Sequence, residues 1–270
     1  MEISNEKLCT IKKLIYTEGR LLERKLFQYF FESGSKEDCI KALVAYQNQD
    51  GGFGNGIEPD LLTPSSSGIG IETALSVLDI LDYPHEDITK RIINWLIKNL
   101  NAKGYLPYPP VDYNEYPHQP WWGDADTERI LSIVGLLNKL GFKDERIDEV
   151  VNKYALQNQV PSEINVYDYP FFIYALYNEE FINRKEVIEW YMQDFTSFLV
   201  KNIDHNPLFS RYWSYAIPFV SDEIVKKYAD VFLNNIQDDG AVRNPYPQYP
   251  WWRPIYTLDG LIILKKYGFI

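Results

Sequence analysis

Apolar positions recur along this chain at spacings of three and four residues. Lys36–Asn48, Ile71–Leu81, Ile88–Leu100 and Ile130–Leu140 show the pattern most clearly, and that period marks one face of an α-helix. Alternating β-branched runs between two-residue turns, the mark of strands, are scarce. The pattern predicts about twelve helices, at roughly 4–17, 20–33, 36–48, 69–82, 87–100, 126–140, 144–157, 167–178, 184–202, 210–219, 222–236 and 255–267.

These helices are of two kinds. Those at 36–48, 87–100, 144–157, 184–202 and 222–236 carry a charged face, whereas Ile71–Leu81, Ile130–Leu137 and Leu258–Leu264 have few charges. The first kind fits an outer layer and the second a position buried on most sides. An internal repeat accompanies the alternation: Tyr116-Pro117-His118-Gln119-Pro120-Trp121-Trp122 returns as Tyr246-Pro247-Gln248-Tyr249-Pro250-Trp251-Trp252. Each copy is followed by a Thr (Thr127, Thr257) and a helix ending in Gly-Phe (Gly141-Phe142, Gly268-Phe269). Repeats of this kind indicate stacked helical hairpins. The expected fold class is all-α, an (α/α)6 toroid, with residues 1–270 as a single domain. Connections into outer helices are short, whereas three into inner helices are long: 47–70, 102–125 and 237–254. Long loops in a compact domain are usually functional, and these three are expected at one end of the barrel.

Composition narrows the function. The formal net charge of −11 disfavours nucleic acid as a partner, since phosphate contacts need a basic footprint. No stretch of about 18 uncharged apolar residues suggests a transmembrane segment, and no apolar h-region suggests a signal peptide. A cytoplasmic location is the expectation. Cys9 and Cys39 cannot build a disulfide framework, and three histidines add few metal ligands. Aromatic residues are unusually frequent at 16%, with 21 Tyr and 7 Trp.

Lys41-Ala42-Leu43-Val44-Ala45-Tyr46-Gln47-Asn48-Gln49-Asp50-Gly51-Gly52-Phe53-Gly54 resembles the repeat shared by terpenoid cyclases and protein prenyltransferase β-subunits, where a helix ends in Gln-x-x-Asp-Gly-Gly-Phe/Trp. Asn234-Asn235-Ile236-Gln237-Asp238-Asp239-Gly240-Ala241 is a degenerate copy, and Tyr256-Thr257-Leu258-Asp259-Gly260-Leu261 looks like that family's final helix. The resemblance implies an α/α toroid with an aromatic cavity. Physically the motif is a brace: Gln47 serves the frayed helix end, Asp50 closes an Asx turn, Gly51-Gly52 permit positive φ, and Phe53 plugs the hairpin.

Two chemistries belong to that family. The prenyltransferases hold zinc through Asp, Cys and His, but the His position aligns with Arg253, and Ile255 and Thr257 replace nearby cysteines. No metal and no other cofactor is therefore expected. Protonation-initiated (class II) cyclases carry Asp-x-Asp-Asp, sometimes Asp-x-Asp-Thr, and this chain has Asp124-Ala125-Asp126-Thr127. By that resemblance Asp126 is the catalytic acid and Asp124 its partner. A carboxylic acid protonates an alkene only in a dry site with neighbouring donors, and ring faces stabilise the resulting cation. Trp121, Trp122, Trp213, Trp251 and Trp252 are the candidate walls. Asp and Thr opening a helix are equally ordinary caps.

Glu58 and Asp60, in Gly54-Asn55-Gly56-Ile57-Glu58-Pro59-Asp60, and Arg211 and Arg253 near inner-helix starts complete the candidate binding set. Acids beside stacking rings also build (α/α)6 glycoside hydrolases and lyases. The expected ligand is a small apolar isoprenoid, or alternatively a saccharide. A non-catalytic, ligand-binding toroid is the third reading.

Overall fold

The computed structural model describes residues 3–123, 128–157, 168–202, 207–243 and 250–270. All regular structure among them is helical, apart from isolated bridges. The protein is all-α. The chain divides into two compact units, one of residues 1–42 and 195–270, the other of residues 43–194. Helix α3 (Lys36–Val44) and helix α9 (Arg184–Lys201) span the two boundaries.

The continuous unit is built on α4 (Gly68–Ile80), α6 (Arg129–Lys139) and α8 (Tyr169–Tyr177), with α4 packed on α6 and α6 on α8. Every residue of α4 is buried, as are Ile130–Leu137 of α6, which is what their low charge predicts. Helices α5 (Glu86–Asn99) and α7 (Glu145–Gln157) are two-faced. α5 buries Ile88, Ile92, Trp95 and Leu96 and leaves its charges outside. Ser67 caps α4 by accepting from the Gly70 amide at 3.1 Å, which satisfies one donor that the first turn leaves open.

The discontinuous unit joins α1 (Asn5–Glu18) and α2 (Leu21–Phe31) to α10 (Asp222–Asn234) and α11 (Trp252–Lys266). α11 is the core helix, buried from Thr257 to Leu264, and both α1 and α2 pack against it. Lys7 Nζ donates to the Leu233 carbonyl at 2.6 Å, tying α1 to α10. The helix expected at 210–219 is a 3-10 turn over Ser214–Phe219. Pro218 lies inside it, and a proline there lacks the N–H and crowds the preceding turn.

The brace motif behaves as its residues require, once in each unit. Gln47 bridges Phe53, its Nε2 donates to the Gly51 carbonyl at 3.0 Å, and Asp50 Oδ1 accepts from the Gly52 amide at 2.9 Å. Gly51 adopts φ 97°, and a Cβ on it would overlap the Arg91 carbonyl of α5. The degenerate copy forms the matching bridge, Ile236 to Val242, and lays Gly240 on the Thr10–Ile11 backbone of α1. Phe53 is fully buried.

Candidate functional site

A cluster of buried polar side chains lies at the N-terminal ends of α4, α6 and α8. Glu72 opens it from the second turn of α4, with a side chain 1% exposed. It accepts from Arg129 Nη1 at 2.6 Å, from Tyr169 OH at 3.1 Å and from Ser132 Oγ. Arg129 starts α6 and also meets the Tyr169 hydroxyl, while Tyr169 starts α8. One carboxylate thus draws together three helices. A buried carboxylate is tolerated when paired and fully hydrogen-bonded.

The long loop before α4 adds to this centre. Glu58 is buried and accepts from Thr73 Oγ1 at 3.0 Å. Asp60, also buried, accepts from Trp122 Nε1 at 2.7 Å through its carboxylate, and from the Gln119 amide at 3.0 Å through its carbonyl. The second long loop is zipped to the first by a Leu61–His118 bridge, a Leu62 amide bond to the Pro117 carbonyl at 3.0 Å, and a Thr63–Asp112 hydrogen bond. Both expected acids of the first loop are therefore held in place by named donors.

The two tryptophan pairs share one disposition. Trp121 and Trp251 are 45% and 43% exposed, whereas Trp122 donates to Asp60 and Trp252 is buried, stacked on Tyr256 at 5.0 Å. Trp213 is half-buried, 6.5 Å from the Phe198 ring. In the discontinuous unit Arg211 is buried and forks onto Asp259 of α11 through bonds of 2.7 and 2.8 Å. Glu23 lies beside that pair. Burial pushes its pKa up, but the Arg20 charge and hydrogen bond, helped by Arg211, outweigh burial and hold it below the ordinary value. Arg253 pairs with Asp239 and, at 3.5 Å, with Glu18.

The structure thus joins Glu58 to Thr73 and Asp60 to Trp122, and gives Arg211 and Arg253 ion pairs. Asp124 and Asp126 lie outside the described residues, as do Tyr246 to Tyr249 of the second repeat and His205. The sequence reading missed Glu72, Arg129, Ser132, Tyr169 and Asp259. The available signal was a charge inside an apolar run: Glu72 in Gly-Ile-Gly-Ile-Glu-Thr-Ala-Leu, Asp259 in Thr-Leu-Asp-Gly-Leu-Ile-Ile-Leu. Such a residue must be buried and therefore paired.

Cys39 is buried, and burial pushes its thiol up to about 12; that thiol is not a nucleophile at neutral pH. Among the described residues no group of three or more His, Cys, Asp or Glu is arranged to hold a metal ion. No helix among them is long and apolar enough to cross a membrane. Comparison with family models, curated proteins and solved structures finds no match for this chain.

Proposed function

We propose that this protein is an isoprenoid-processing enzyme built as an α/α toroid, in which Asp126, with Asp124 as its partner, protonates an alkene of an apolar substrate. The proton goes to one alkene carbon, the other becomes cationic, and ring faces such as Trp122 stabilise that charge. A carboxylate then recovers a proton from the product cation, so the acid is regenerated.

The observation that carries this reading is a pair of anchors. Trp122 is fixed to Asp60 and Arg129 to Glu72, so both flanks of the Asp124–Thr127 segment are tied to the buried cluster. Asp126 precedes Arg129 by three residues in the sequence. Glu58, Asp60 and Glu72 are themselves engaged with internal donors, which suits them as supports of the site. The toroid is supported by the order of apolar helices α4, α6 and α8 between two-faced α5 and α7.

A second reading has one observation in its favour. Asp60 accepts from the Trp122 indole N–H at 2.7 Å, which ties a carboxylate of the kind glycoside hydrolysis uses to the edge of an aromatic ring. One experiment separates the two. Linear prenyl alcohols and diphosphates are screened beside acidic oligosaccharides, with Asp126→Asn and Asp60→Asn variants. Loss of prenyl turnover in Asp126→Asn, with folding and binding retained, is the expected result. Full activity of that variant on the accepted substrate overturns the proton-donor assignment, and oligosaccharide turnover lost only in Asp60→Asn selects the second reading. Binding without turnover of any candidate corresponds to a non-catalytic toroid.

A further inference from the structure

We propose that Asp148 is a proton-operated latch between α6 and α7, closed when its carboxyl carries a proton and donates it in a hydrogen bond to the amide oxygen of Asn138. The latch lies in the continuous unit, and the inference does not rest on the isoprenoid reading.

The geometry begins with a void of about 10 Å³, room for about one water. Ile93 of α5, Leu137 of α6 and Ile147 of α7 wall it, and its polar lining is Asn138, Asp144 and Asp148. Asn138 Oδ1 has almost no solvent-exposed surface and no hydrogen-bond partner among the described residues. A buried acceptor in that state calls for a donor, and an ionised carboxylate is none, because it too only accepts. Asp144 is already committed. Its Oδ1 accepts from the Arg146 amide at 3.1 Å and from Arg146 Nε at 2.9 Å, and its Oδ2 from Arg146 Nη2 at 2.7 Å. Those bonds hold Asp144 ionised, below its ordinary pKa. Asp148 is the group on the void left to supply a proton.

The surroundings of Asp148 favour its protonated form. Burial raises its pKa most, the Asp144 and Glu180 carboxylates act in the same direction, and Lys143 opposes them. Lys143 is shared, its Nζ lying 3.6 Å from Glu180. Lys139 of α6 is turned to Asp79 at 2.8 Å, and Lys90 of α5 is paired with Glu86. Tyr174 of α8 also faces Asp148, and burial pushes its phenol up, so it stays neutral. A carboxyl whose folded pKa is raised contributes stability that is fully present below the unfolded value of 3.8. That contribution is lost as pH rises through the folded value. The α6–α7 hairpin is therefore tighter in mild acid than at neutral pH.

The test is a carbon-detected NMR titration of the Asp148 carboxyl in the intact chain, read beside amide hydrogen exchange of α7 corrected for its intrinsic pH dependence. The Asp148 midpoint is expected above 3.8, and α7 protection in the parent is expected to rise as pH falls through it. Asp148→Asn carries a permanent amide donor. It is expected to slow α7 exchange about tenfold at about pH 7, the size of one recovered hydrogen bond, and to lose the parent's gain on acidification. In an Asn138→Leu background, which removes the acceptor and keeps the void dry, the same change is expected to lose most of that benefit. Circular dichroism checks the fold of each variant, and the parent titration needs none of them. The proposal is overturned if Asp148 titrates at or below 3.8, or if Asp148→Asn leaves α7 exchange unchanged. It is equally overturned if the benefit of Asp148→Asn is the same with Leu at 138. A midpoint that falls on adding millimolar calcium chloride would make the void a cation site and overturn it too.

Discussion

Replacing Glu72 by Leu removes the carboxylate on which Arg129, Ser132 and Tyr169 converge. At the observed 2.6 Å, an effective dielectric constant of about 20 gives a gross attraction of roughly 6 kcal/mol between Glu72 and Arg129. Desolvation cancels part of that, and breaking a buried pair costs about 3–5 kcal/mol, because the surviving charge is stranded. Arg129 is 16% exposed and can turn partly toward water, so the lower end applies, about 3 kcal/mol. Glu72→Gln keeps an acceptor oxygen and is expected to cost less, about 1–2 kcal/mol. Glu72→Leu/Arg129→Met removes both charges and should lie within about 1 kcal/mol of the parent. Amide hydrogen exchange in α4 and α6 reports the continuous unit on its own. The slowest amides there should exchange about a hundredfold faster in Glu72→Leu, since 1.4 kcal/mol is a factor of ten. Urea unfolding gives the same order of variants. If Glu72→Leu loses less than about 1 kcal/mol, or the double variant is no better than the single, the carboxylate does not hold the three helices together.

Three further outcomes follow from other parts of the molecule. Gly51→Ala sets a Cβ against the Arg91 carbonyl at φ 97° and should cost more than about 2 kcal/mol in chemical denaturation. Gly141→Ala, at φ 84° with open space around it, should cost only the conformational strain, about 1 kcal/mol. Asp259→Asn leaves Arg211 buried without its bidentate partner and should lower stability by about 3 kcal/mol, whereas Arg211→Met/Asp259→Leu should be nearly neutral in the same assay. The depressed pKa of Glu23 means that its folded form binds its proton less readily than the unfolded chain. Its contribution is therefore fully present above the unfolded value near 4.5 and is lost as pH falls through the lower folded value. Stability of the parent should fall more steeply than that of Glu23→Gln below about pH 4.5, as measured by thermal unfolding in pH steps.

Helix period and charge asymmetry made most of the fold legible. α4 and α6 announce themselves as buried because almost nothing in them is charged, and α5 and α7 as two-faced because their charges fall on one side. The 210–219 segment misled because its apolar spacing is helical while Pro218 limits it to a tighter turn. The buried polar side chains were legible in the loops and not in the helices. Glu58 and Asp60 stand out in one loop too long to be a connector, and Trp122 in another. Glu72 and Arg129 are 57 residues apart, and no local pattern pairs them. Only the packing of α4 on α6 does so. Arg211 was visible as a cation at the start of an apolar segment, but its partner Asp259 was hidden in a run read as core.

The discontinuous unit has a consequence for the order in which the molecule can assemble during synthesis. α1 and α2 are made first, yet the helix they pack against, α11, is made after the whole of residues 43–194. At about 5–20 residues per second, the roughly 220 residues between α2 and α11 take about 11–44 s to translate. The continuous unit can bury α4, α6 and α8 in that interval, because every partner it needs is already on its own stretch of chain. Ile11, Leu14, Ile15, Leu22, Leu26 and Phe27, all core residues of the finished unit, have no α11 to cover them until then. Nascent α1–α2 is accordingly the segment of this chain that a ribosome-associated chaperone has reason to hold.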